Sequence, residues 1–199
     1  MVTRLALLGA GRIGKVHAKA IAEDKRAKLV AVADAFADAA NAIAAQTGCA
    51  VKTIEEIEAD KDIDAVIICT PTNTHADLIE AAVKAGKAVF CEKPIDLSLD
   101  RVKSCLSVVR AHSGTLMVGF NRRFDPNFAA LKAAADRGEI GKTELLSVTS
   151  FDPAPPPVAY IKVSGGLFRD MMIHDFDMAN FIMGAAPVTV SAVGTSIVD

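Results

Sequence analysis

Short apolar runs alternate with stretches of helical periodicity through the first 120 residues of the chain. Leu5-Ala6-Leu7-Leu8 is continuously apolar and stops at Gly9, the pattern of a parallel strand covered on both faces. From Ile13 to about Glu23 the spacing becomes helical. Lys28 to Ala33 reads as a second strand, Ala35 to about Thr47 as an alanine-rich helix stopped by Gly48, and Ala65 to Cys69 as another buried strand. Thr74 to Ala85, closed by Gly86, is a helix; Ala88 to Cys91 a strand; Asp100 to His112 a helix; and Leu116 to Gly119 a strand. Regular alternation of this kind predicts a doubly wound α/β domain, a parallel sheet with right-handed crossovers.

The rhythm changes after Phe120. Asp125 to Arg137 reads as a helix and Thr143 to Phe151 as a strand, while Asp152-Pro153-Ala154-Pro155-Pro156-Pro157 can be neither, because successive prolines remove donors and fix φ. Phe168 to Met183 reads as one strong helix. The β-branched run Val188 to Val193 follows Pro187, and a last short element covers Thr195 to Val198. The expected organisation is therefore a complete first domain, residues 1–120, and part of a second, residues 121–199.

Composition narrows the chemistry. The 199 residues carry 22 basic and 24 acidic side chains, a formal net charge of −2, so the basic excess that nucleic acid or an anionic membrane rewards is missing. Thirty-five alanines, one tyrosine and no tryptophan describe an interior of small aliphatic groups, suited to helices laid closely on a sheet. Cys49, Cys69, Cys91 and Cys105 form no C-x-x-C pair, so buried reduced thiols are expected rather than structural zinc, and no metal site is expected. Met1-Val2-Thr3-Arg4 leads into a run of only four apolar residues before Gly9, too short for a signal-peptide core, and no run can span a bilayer. A reducing cytoplasmic location is expected.

Gly9-Ala10-Gly11-Arg12-Ile13-Gly14 is a G-x-G-x-x-G that follows a strand and opens a helix, with Asp34 at the end of the next strand. The first glycine makes the tight turn, the second lets backbone approach a pyrophosphate, and the third lets helix and strand pack closely. Asp34 can accept hydrogen bonds from both ribose hydroxyls and would repel a 2′-phosphate, so NAD is expected over NADP. A plain glycine turn beside a solvated Asp is the bland alternative. Thr70-Pro71-Thr72-Asn73-Thr74-His75 and Cys91-Glu92-Lys93-Pro94 each end a strand, where loops face the ligand crevice of an open sheet. Pro71 can equally be a turn residue, Thr74 a helix N-cap, and Lys93 a solvated cation held extended before proline.

On the predicted helix from Phe168, at about 100° per residue, Met172, Phe176, Ala179 and Met183 form an apolar stripe. Asp170, His174 and Asp177 fall opposite. They are either a wet face, or a carboxylate at i orienting an imidazole at i+4 as a general base. The pattern alone leaves both open.

Five segments together, G-A-G-R-I-G-K-V-H at Gly9 to His17, C-T-P-T-N-T-H at Cys69 to His75, C-E-K-P at Cys91 to Pro94, G-F-N-R-R-F-D at Gly119 to Asp125 and G-G-L-F-R-D-M-M-I-H-D-F-D-M-A at Gly165 to Ala179, resemble the glucose-fructose oxidoreductase, inositol dehydrogenase and rhizopine-catabolism family. With D-P-A-P-P-P, the likeness is strongest to its inositol-oxidising members and covers essentially the whole chain. The resemblance implies hydride transfer from a ring hydroxyl of a polyol, myo-inositol to its 2-keto form, to NAD. It implies Lys93, Asp170 and His174 as catalytic residues. Gly9, Gly11, Arg12, Ile13, Gly14, Asp34, Thr70, Pro71, Asn73, His75, Glu92 and Lys93 would bind the cofactor. Asn121, Arg122 and Asp152 would line the polyol pocket with Lys93, Asp170 and His174. Phe151 departs from the resemblance by standing where related inositol dehydrogenases often carry a basic residue just before D-P. The family's second domain is an open, mainly antiparallel sheet completed by a further hundred or so residues, through which relatives form homo-oligomers, tetramers or dimers. Three functions follow as expectations: an NAD-dependent polyol dehydrogenase, for myo-inositol or for scyllo-inositol or a hexose; a module that binds NAD without turnover; and an inactive fragment.

Overall fold

The structure, a computed structural model of the 199-residue chain, describes residues 2–152 and 154–195. It separates into two compact units, Met1–Gly119 and Phe120–Asp199. In the first, six strands run β1 (Thr3–Leu8), β2 (Ala27–Ala33), β3 (Ala50–Val51), β4 (Ala65–Ile68), β5 (Ala88–Cys91) and β6 (Leu116–Val118). Helices α1 (Arg12–Glu23), α2 (Ala37–Thr47), α3 (Ile54–Ala59), α4 (Thr72–Lys84) and α5 (Leu99–Ala111) connect them. Every pairing is parallel, in the order β3-β2-β1-β4-β5-β6. The order reverses between β1 and β4, the switch point at which open parallel sheets bind ligands.

Two-residue alternation along the strands divides the core. Ala6, Leu8, Ala31, Ala33, Val66, Ile68, Val89 and Cys91 face one layer, where Ile57 of α3, Ala76, Ile79 and Val83 of α4, and Cys105 and Val109 of α5 cover them. Leu7, Val32 and Ile67 face the other layer, under Ala18 and Ile21 of α1 and Ala40 and Ile43 of α2. Ala6 on β1 and Ala31 and Ala33 on β2 are small, fully or nearly fully buried strand side chains that let helices approach closely. Residues 50–59, unassigned from hydrophobic pattern, form β3 and α3. The signal for α3 is local, since Thr53 accepts from Glu56 N while Glu56 accepts from Thr53 N, a capping box.

Among the described residues of the second unit the regular elements are all helices, separated by irregular backbone. A 3-10 turn at Asn121–Phe124 leads to α6 (Pro126–Asp136), whose N-cap Asp125 accepts from Asn127 N at 2.9 Å. Then follow α7 (Val158–Ser164), α8 (Gly166–Asp170) and α9 (Met172–Met183). Three expectations change here. Residues 143–151 and 188–193 take no strand conformation, because a strand needs a neighbouring ladder and the described residues of this unit supply none. The single helix expected from Phe168 is two, divided at Met171. The apolar stripe is only partly covered: Met172 and Ala179 are half-buried and Phe176 and Met183 exposed, while Asp177, Met178 and Ile182 are buried. Arg123 makes burial of Asp177 possible by donating to it twice, Nε at 2.8 Å and Nη2 at 2.5 Å. Beyond Thr195, the short element expected to Val198 lies outside the described residues.

Ile79 is fully buried against the sheet, whereas Leu99 in the first turn of α5 is 66% exposed. Ile79→Ala is expected to cost about 2–5 kcal/mol and Leu99→Ala less than about 0.5 kcal/mol. Urea unfolding followed by circular dichroism checks both; equal midpoints for the two variants would contradict this packing.

Candidate functional site

In the first unit, the carboxyl ends of β1, β2, β4 and β5 bring the glycine-rich turn, Asp34, the Thr70 loop and the Glu92-Lys93-Pro94 turn to one edge of the sheet. Gly9 turns at φ +99°, and a Cβ there would lie 2.6 Å from the Cys69 carbonyl carbon and oxygen. A Cβ on Gly14 would lie 2.0 Å from Gly9 O. No side chain fits either place, so the crossing of β1, α1 and the end of β4 requires glycine twice. Gly11, the N-cap of α1, has nothing within 4 Å of its Cβ position. No side chain caps the helix, and its first turn carries no acidic residue. The first N–H groups, at exposed Arg12 and half-buried Ile13, therefore face open space at the positive end of the helix dipole, an arrangement that accepts a phosphate.

Asp34 is part of the same turn. Its Oδ2 accepts from Ala10 N at 2.6 Å and its Oδ1 from Phe36 N at 2.8 Å. An ionised carboxylate offers about four lone-pair sites, so acceptor capacity remains for two ribose hydroxyls. Open space at Gly11, an uncapped helix terminus and a half-buried Asp34 together fit a dinucleotide.

The Thr70 loop differs from expectation in one respect. Pro71, not Thr74, is the N-cap of α4; Thr74 sits in its first turn with its hydroxyl 2.7 Å from Thr70 Oγ1 and 2.8 Å from Pro71 O. His75 is only 2% exposed, with Nδ1 2.7 Å from Pro94 O and Nε2 2.8 Å from Thr70 O. The ring thus ties two loops together. Pro71 and Asn73 are exposed, and Thr70 is half-buried.

Glu92 is likewise engaged inside the protein. His17 Nε2–H donates to Glu92 Oε1 at 2.7 Å, and the His17 ring meets Phe90 edge-on with centroids 5.1 Å apart. Hydrophobic pattern passes over His17; its signal is position, three residues beyond the last glycine of the fingerprint. Lys93 is half-buried at the start of the turn, and the Lys93–Pro94 peptide is cis. Two thiols sit at these strand ends. Burial, and then the negative Glu92, pushes Cys69 up to about 12. Burial chiefly raises Cys91 as well. Neither thiol is a nucleophile near neutral pH. All four cysteines are free.

In the second unit, Asp170 ends α8 and accepts from the hydroxyl of Tyr160 at 2.8 Å. Tyr160, the chain's one tyrosine, escapes a reading based on charged motifs. His174 is half-buried in the first turn of α9, its N–H donating to Met171 O at 3.2 Å. The break at Met171 means that Asp170 and His174 do not share one continuous helix, as the i, i+4 argument assumed. Arg122 pairs with Asp175, which also accepts from Ser150 Oγ at 2.7 Å. Asn121 and Asp152 are exposed. Among the described residues, no group of three or more His, Cys, Asp or Glu could hold a metal ion, and no helix is long and apolar enough to cross a membrane.

A family model described as an oxidoreductase family with an NAD-binding Rossmann fold matches residues 3–120, and the GFO/IDH/MocA C-terminal domain matches residues 128–199. The chain is 62% identical over 199 residues to an inositol 2-dehydrogenase of Rhizobium meliloti (strain 1021), all of this chain against 60% of that protein. It is similar to a crystal structure of a myo-inositol dehydrogenase from Corynebacterium glutamicum ATCC 13032, with TM-score 0.87 and 48% identity, covering 92% of this chain and 55% of that one. It is also similar to a scyllo-inositol dehydrogenase from Lactobacillus casei with bound NAD(H) and scyllo-inositol, with TM-score 0.84 and 34% identity, covering 92% and 57%. The chain thus spans about 60% of the length of the curated relative it matches.

At about pH 8, a thiol titrating near 12 is ionised to about one part in ten thousand, and the fraction rises tenfold with each pH step. Cys69 in the native chain is therefore expected to resist iodoacetamide at that pH and to react promptly in urea. Mass mapping of the alkylated peptides reads this directly, and rapid native labelling of Cys69 would contradict its burial.

Proposed function

The chain belongs to the oxidoreductase family with an NAD-binding Rossmann fold, and from that premise we propose that it takes part in oxidising a ring hydroxyl of a cyclic polyol, myo-inositol to its 2-keto form, with NAD as acceptor. The carrying observation is the 62% identity to an inositol 2-dehydrogenase over 199 residues. The sites of the first unit support NAD through Gly11, the α1 N-terminus and Asp34. Bound NAD supplies a hydride acceptor at its nicotinamide ring.

The chain's residues supply position and proton chemistry. Lys93 binds the reacting hydroxyl and stabilises negative charge as it develops on that oxygen. His174 takes the hydroxyl proton as general base. Asp170, held by the Tyr160 hydroxyl, supports the imidazolium that this transfer creates. Asn121, Arg122 and Asp152 offer polar partners to the remaining ring hydroxyls, and a site built to hydrogen-bond each of them discriminates between epimers. Free thiols throughout suit a reducing, cytoplasmic compartment. Assembly into homo-oligomers is part of the same reading.

NADH formation with myo-inositol, scyllo-inositol and a hexose as alternative substrates tests the proposal. Myo-inositol is expected to give the highest kcat/KM, and His174→Ala to lower kcat by at least about a hundredfold with NADH affinity preserved. Equal rates for wild type and variant remove His174 as the base. NAD binding without turnover on any of the three substrates would falsify the oxidation itself.

A further inference from the structure

We infer that His17 is a positioning residue for Lys93, acting through the carboxylate of Glu92; the inference rests on the proposed role of Lys93. Lys93 is bracketed in the chain by two residues whose places are set from elsewhere in the first unit. On one side, Glu92 N–H donates to Ile68 O at 3.0 Å, extending the β5–β4 ladder by one residue, while the Glu92 side chain accepts from His17 at 2.7 Å. On the other side, Pro94 O lies 2.7 Å from the buried His75 ring. Lys93 is thereby flanked by Glu92, whose backbone is tied to β4 and whose side chain is tied to α1, and by Pro94, whose carbonyl is tied to α4.

The His17 tie connects the two functional segments of this unit. Its ring is on the second turn of α1, the helix whose open N-terminus fits the dinucleotide phosphates, and its partner is next in the chain to Lys93. The pair is shielded, with side chains 23% and 20% exposed, and charge-assisted whenever the imidazole is protonated. Phe90 flanks the ring edge-on, so it has little freedom to leave. On the far side of the carboxylate stands Gly119. A Cβ there would lie 3.2 Å from Glu92 Oε2 and 3.1 Å from Phe90 Cζ, so a larger residue would press on the carboxylate that His17 holds. The Glu92 carboxylate serves as a strut between the dinucleotide helix and the Lys93 turn. Cofactor seated on α1 and substrate hydroxyl bound at Lys93 then share one rigid frame, which an ordered hydride transfer requires.

The test compares the wild-type chain with His17→Ala, His17→Gln, Glu92→Gln and the His17→Ala/Glu92→Gln double variant. NADH titration and circular dichroism establish which variants keep the first unit intact. A misplaced Lys93 predicts a kcat about tenfold lower in His17→Ala, with KM for the polyol and NADH affinity within about threefold of wild type. His17→Gln, whose amide can donate to the same carboxylate, is expected to recover most of the loss, and the double variant to be no slower than the worse single one. A wild-type kcat in His17→Ala, a loss confined to NADH affinity, or additive losses in the double variant overturn the inference alone. An inactive wild type that still binds NADH overturns the proposed oxidation, and the role of His17 with it.

Discussion

The tightest constraint in the molecule is the crossing at which Gly14 of α1 rests on the carbonyl of Gly9. A single Cβ at Gly14 would penetrate to 2.0 Å of that oxygen, far inside any van der Waals contact. Because the two backbones touch, α1 begins immediately above the end of β1, and its first N–H groups open toward the carboxyl edge of the sheet. Gly9 adds the second half of the constraint by lying against Cys69 and Thr70 at the end of β4. The turn, the helix and the neighbouring strand are thus registered by backbone alone. Side-chain packing then has two layers to fill, and small residues on the strands fill them.

Around that crossing, polar side chains act mainly as ties between loops. Asp34 holds Ala10 N–H, His75 spans the Thr70 and Pro94 carbonyls, and His17 holds Glu92. Each is partly or wholly buried, where an unmet polar atom costs about 1–3 kcal/mol, so each tie selects one loop arrangement over its competitors. The thiols at the same strand ends, Cys91 buried and Cys69 half-buried, contribute packing and no nucleophile, their ionisation suppressed by desolvation.

The second unit is organised differently. It buries few large side chains, and its helices are pinned by charge: Arg123 with Asp177, Arg122 with Asp175. The guanidinium of Arg123 also lies 5.1 Å from the centroid of Phe181 and 5.9 Å from that of Phe120. A guanidinium that pairs with a buried carboxylate while resting on aromatic faces fixes α9 against the turn at Asn121–Phe124 without a large apolar core.

Alternation of apolar runs and helical periods by itself determined the doubly wound fold of the first unit, because buried parallel strands and the helices over them leave separate marks in composition. The glycine fingerprint was legible for a different reason: at Gly9 and Gly14, backbone contact excludes every residue with a side chain. The motifs at Lys93, Asp170 and His174 were legible as sequence likeness, and their individual roles remain tied to the proposed reaction. Tertiary structure decided what a one-dimensional pattern does not encode. Which face of α9 is buried depended on Arg123, fifty-four residues away from Asp177. Whether residues 143–151 and 188–193 form strands depended on neighbours to pair with, not on their own β-branched content. That His17, His75 and Glu92 hold loops in place follows from partners brought near by folding, since a hydrogen bond is set by distance in space and sequence spacing records only distance along the chain.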